Sequence, residues 1–98
     1  MKRLETIGLE DVRAVYSGPE CQLWELIMGS QIHMGGLQSS QHLANRSGVQ
    51  PGSCGVDLCC CKGAGMVFLT RFRNAARMTG VDATSEVVDR GKMWIDRL

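Results

Sequence analysis

Val56-Asp57-Leu58-Cys59-Cys60-Cys61-Lys62-Gly63-Ala64-Gly65, followed by an amphipathic stretch and then by Met78-Thr79-Gly80-Val81-Asp82, decides how this chain folds. The two segments read as strand, tight turn, helix, second strand and terminal acid, the layout of a nucleotide-binding β-α-β unit. Asp82 follows Gly63 by 19 residues. That is close to the ~20-residue offset at which a strand-end carboxylate reaches the ribose hydroxyls of an adenosine-containing cofactor.

The rest of the chain fits one small domain: 98 residues, 44% of them hydrophobic, suffice for a modest core. A formal charge of +1 gives no electrostatic drive toward nucleic acid or an anionic membrane, and the basic residues Arg71, Arg73 and Arg77 are a local, solvated group. Met1-Lys2-Arg3 is basic, but Glu5, Glu10 and Asp11 follow where a signal peptide would carry an apolar run, so a cytoplasmic protein is expected. Five cysteines, three of them consecutive, lack the paired spacing of a disulfide framework or zinc ribbon. Reduced thiols and no bound metal follow.

Residues 1–50 read as a helical cap and residues 51–98 as the β-α-β-α unit. In the cap, Leu9, Val12 and Tyr16 share one helical face, and Ser17-Gly18-Pro19-Glu20 resembles a capping box that opens a second helix. Leu23, Trp24, Ile27 and Met28 form a stripe expected to pack in the core, ending at Gly29. A loop containing Ile32-His33-Met34-Gly35-Gly36 precedes a third helix with Leu37, Leu43 and Ala44, closed by Gly48. Cys54 to Leu58 suits a short buried strand, and Gly63 to Ala76 a helix with Phe68, Phe72, Ala75 and Ala76 on one face. The second strand spans about residues 77–81. Thr84 or Ser85 is expected to cap a last helix, whose face is Val87, Val88, Gly91, Trp94, Ile95 and Leu98.

On these residues the chain resembles the N-terminal half of a class I S-adenosylmethionine-dependent methyltransferase. Asp57 to Gly63 looks like the family's first motif, D/E-x-G-x-G-x-G, and Gly80-Val81-Asp82 like its second. Tyr16, Leu23-Trp24 and Ile32-His33-Met34-Gly35 in the cap are similar to small-molecule methyltransferases of the sarcosine/dimethylglycine and tocopherol type. The resemblance implies a Rossmann-like β-α-β core behind the cap and methyl transfer from S-adenosylmethionine to a small acceptor. It implies a cofactor site of Tyr16, Asp57, Cys59, Cys61, Gly63 and Asp82, with His33 orienting the acceptor or taking a proton from an amine nucleophile. Two departures stand out. Cys59 and Cys61 occupy two of the three glycine positions, where glycine permits positive φ and close approach of a ligand. The family's further strands are also absent, so the first strand is left with an open edge that a second copy or another chain is expected to cover.

Bland readings compete at each position. Asp82 and Asp57 are also suited to capping helices, Tyr16 to packing, and His33 to a solvated loop, and for Asp82 the agreement of three features favours the ribose reading. A thiolate near a helix N-terminus would be activated, but consecutive cysteines point in alternating directions, which favours small packing residues over a metal or redox site. Two rivals to the enzyme remain. One is a non-catalytic binding or assembly module derived from the methyltransferase fold. The other is a nicotinamide-dinucleotide protein, whose turn would need glycines where cysteines stand.

Overall fold

The computed structural model describes residues 6–28 and 34–98, apart from the side chains of Trp24 and Met28. Among the described residues seven elements follow one another: α1 (Leu9–Ser17), α2 (Pro19–Met28), α3 (Gly36–Ser47), β1 (Cys54–Leu58), α4 (Ala64–Phe72), β2 (Arg77–Val81) and α5 (Ser85–Asp96). The chain is mixed α/β. Its sheet consists of β1 and β2, parallel, in a register that sets Cys54 beside Arg77 and Leu58 beside Val81. Parallel neighbours cannot be joined by a hairpin, and α4 is the crossover that returns the chain to the start of β2. No helix among the described residues is long and apolar enough to cross a membrane.

The core lies where α4, the β1–α4 turn and α5 meet. Phe68 of α4, Cys60 of the turn, Ala75 and Val87 of α5 are buried. Glycines let these elements close on one another. A Cβ on Gly80 would lie 2.6 Å from Cε of Met66 and 2.7 Å from Sγ of Cys60. One on Gly91 would lie 2.6 Å from the carbonyl oxygen of Lys62. The backbone of α5 therefore rests directly on the backbone of the turn.

Several expected contacts are not made. Of the stripe on α2, Leu23 and Ile27 are exposed, while the side chains of Trp24 and Met28 lie outside the described ones; among the described side chains of that helix Cys21, on another face, is buried. On α1, Leu9 is half exposed, and Val12 and Tyr16 are partly covered, at 41% and 36% exposure. β1 is not a buried strand. Its residues alternate so that Gly55 and Asp57 lie half-buried on the α4 side, whereas Val56 and Leu58 are 63% and 72% exposed on the other. With one helix layer against a two-stranded sheet, the second sheet face has no covering layer among the described residues.

Local signals differ in three places. Ser17 does not cap α2: it belongs to α1, and its hydroxyl donates to the carbonyl of Arg13 at 2.7 Å. The helix expected to reach Ala76 stops at Phe72, because Asn74 takes a left-handed conformation (φ 56°) that helix geometry cannot continue. Thr84 occupies the N-cap of α5, yet its side chain makes no capping bond. Asp82 braces the approach to the helix, its Oδ1 accepting from the Thr84 N–H at 2.9 Å in an Asx turn.

Replacing Gly91 by alanine should destabilise the fold. Alanine gains about 1 kcal/mol of helix propensity over glycine, but forcing a methyl onto the Lys62 backbone costs about 1–3 kcal/mol. Urea unfolding should show a net loss of about 1 kcal/mol, in the direction opposite to propensity.

Candidate functional site

The site is the turn between β1 and α4. Cys59, Cys61 and Gly63 have φ of 57°, 50° and 91°. All three positions at which the first motif carries glycine are thus left-handed, including the two held by cysteine. An L-residue in this region costs roughly 1–2 kcal/mol, so the surroundings must impose the shape.

The hydrogen bonds show how. The Cys60 N–H, two residues beyond β1, donates to the Val81 carbonyl at 3.1 Å and ties the turn to the end of β2. The Gly63 N–H closes the turn on the Cys60 carbonyl at 2.9 Å, and Val67 N–H then takes the Gly63 carbonyl at 3.0 Å as α4 begins. Between these, the Cys61 N–H donates to Oδ2 of Asp82 at 2.9 Å. Asp82 thus spans the turn and the start of α5 with its two oxygens.

A cavity of about 290 Å³ opens beside the turn, near the lower end of the ~300–1,000 Å³ usual for ligand pockets. Asp57 and the turn residues Cys59 to Lys62 form one wall, and Tyr16, Cys21 and Glu25 of the cap form the facing one. Of the expected site residues, Tyr16, Asp57, Cys59 and Cys61 are brought together around this space. Gly63 is buried beneath it, beside Met66 and Ile95. Asp82 stands behind the turn and does not line the cavity. His33 lies outside the described residues. Glu25, Lys62 and Arg90 were not singled out from sequence. The available signal was Cys21 and Glu25 four residues apart on α2, away from its apolar stripe.

Three thiols at the cavity, Cys21, Cys60 and Cys61, are held protonated. Burial, with Asp82 adding to it, pushes Cys61 up from its ordinary 9.0 to about 11. Burial is also the main cause of the upward shifts at Cys60, next to Asp82, and at Cys21, next to Glu25. Tyr16 is raised likewise, first by burial. Neutral thiols are poor nucleophiles and poor metal ligands. No group of three or more His, Cys, Asp or Glu among the described residues is placed to hold a metal ion.

Compared with protein-family models, with curated proteins and with solved structures, the chain matches none.

Two predictions follow from the turn. Cys59→Gly should raise stability by about 0.5–1 kcal/mol, because relief of the left-handed strain exceeds glycine's extra unfolded-state entropy. Cys59→Val should lower it; thermal unfolding of both variants measures the pair. The second concerns pH. The folded state holds the Cys61 proton more tightly than the unfolded chain, so this contribution is complete below pH 9.0 and is lost as pH rises through about 11. Alkaline unfolding curves should fall across that window, and Cys61→Gly should flatten the fall.

Proposed function

We propose that the chain binds S-adenosylmethionine in the turn cavity and serves methyl transfer to a small-molecule acceptor. The observation that supports this most is the backbone: Cys59, Cys61 and Gly63 take the left-handed conformation at the three positions that a glycine-rich cofactor turn requires. The strand, turn, helix and parallel strand order of a Rossmann-like unit supports it further. The residues present fit such a ligand in part. Asp57 lies on the cavity wall, suited to an ammonium group, and the amino end of α4 contributes Ala64 and Gly65.

When bound, the cofactor supplies a methyl group on a positively charged sulfonium, and that charge is lost as the acceptor is methylated. The protein then has to align and desolvate, which can supply ~7–11 kcal/mol without a strong acid or base. Tyr16 and the cap residues facing the turn would exclude water. His33, outside the described residues, keeps its proposed role of orienting the acceptor or taking a proton from an amine nucleophile. Asp82 does not line the cavity and both its oxygens already accept a backbone N–H, so in this reading it serves the cofactor by holding the turn.

That double engagement favours one alternative, a non-catalytic binding or assembly module in which Asp82 is purely structural. The exposed sheet face belongs to either reading. Val56, Leu58 and Val81 lie on it, next to the edge of β1 that no strand pairs among the described residues, and we propose that a second copy or another chain covers that edge.

Calorimetric titration with S-adenosylmethionine and S-adenosylhomocysteine, with NAD as competitor, tests the cofactor reading. Dissociation constants on the order of micromolar, weakened at least tenfold by Asp57→Asn and unaffected by NAD, are expected. A folded protein that binds neither ligand would leave the non-catalytic module as the better account.

A further inference from the structure

Glu25 sits between two cations that come from different parts of the fold. Its Oε2 lies 3.2 Å from Nζ of Lys62, in the turn, and its Oε1 lies 3.4 Å from Nη2 of Arg90, on α5. The three side chains are mostly shielded, at 19%, 20% and 28% exposure for Glu25, Lys62 and Arg90. The same Nη2 lies 3.5 Å from the Tyr16 carbonyl and 3.5 Å from Sγ of Cys21, so one guanidinium touches α1 and α2 together. Arg90 Nε is buried without a partner among the described residues. Meanwhile Leu23, Leu26 and Ile27 of α2 all face solvent. The described side chains of α2 thus meet the rest of the domain through charge and Cys21 rather than through an apolar stripe.

We infer that Glu25 is a charge latch that holds the α1–α2 wall of the cavity against the turn, and that releasing it opens the cavity. Without the carboxylate, Lys62 and Arg90 would be two shielded like charges with no anion between them, a state that drives the elements apart. Lys62 is part of the cavity wall, so the latch joins the position of the cap to the residue beside which a ligand must sit. The inference concerns the free chain and does not depend on which ligand the cavity takes.

The cysteines are built-in reporters. Cys21 and Cys61 line the cavity behind the latch, whereas Cys54 is exposed at the start of β1. Alkylation by iodoacetamide, followed at each cysteine by mass spectrometry, should be compared in wild type, Glu25→Gln, Lys62→Gln and the double variant. Glu25→Gln should speed modification of Cys21 and Cys61 by about tenfold, leave Cys54 unchanged and leave amide exchange in α4 unchanged. The double variant should react no faster than Glu25→Gln alone, because both substitutions break one contact. Lys62→Gln retains the Arg90 pair and supplies the readout if Glu25→Gln does not fold. An unchanged rate at Cys61 would overturn the latch whatever Cys21 does, because losing the Glu25 carboxylate beside Cys21 eases its ionisation without any opening. So would acceleration matched by faster exchange throughout α4, which marks unfolding of the whole domain. Because no cofactor is added, a chain that fails to bind S-adenosylhomocysteine still gives a decisive result here.

Discussion

The carboxylate of Asp82 is the constraint around which the domain is arranged. One oxygen accepts from the Cys61 N–H and the other from the Thr84 N–H. The first bond pins a turn whose residues would otherwise leave the left-handed region, and the second fixes where α5 begins. Hydrogen bonds to a charged acceptor are about twice as strong as neutral ones, which suits a tie that must offset backbone strain at two cysteines. With the turn and α5 both fixed to the end of β2, Gly91 can settle on the Lys62 backbone, and Arg90, one residue earlier, is carried to Glu25.

Much of this order was legible in the sequence because it is local. Apolar runs and turn residues mark β1, β2 and the start of α4 within a residue, although the end of α4 lies four residues before the expected one, and the residues at the motif's glycine positions are the left-handed ones. What failed was inference from apolar stripes to burial. Leu9, Val12, Leu23 and Ile27 have helical spacing, and the helices exist, but periodicity states that a face is apolar and not what lies against it. Val56 and Leu58 failed for the same reason, since a strand's burial depends on layers contributed from elsewhere.

The site was legible as a place more than as a set of roles. Tyr16, Asp57, Cys59 and Cys61 do gather around one cavity, whereas Asp82 turned from an expected ligand contact into a bracket behind the turn. That distinction rests on hydrogen-bond geometry, which spacing along a chain does not encode. The triad of Glu25, Lys62 and Arg90 was invisible for a related reason: its members lie 37 and 65 residues apart. Only the fold brings them together.

Sulfur closes the seam between helix and sheet. The space above Gly80 is taken by the thioether of Met66 and the thiol of Cys60, and that above Gly55 by the thioether of Met78. Sulfur is soft and adaptable, which lets a sparse core fill irregular gaps without branched side chains. It also makes the packing chemically perishable. An oxygen atom added to Met66 would turn an apolar filler into a polar, bulkier one against the β2 backbone, so oxidants would age this protein through its packing before its chemistry.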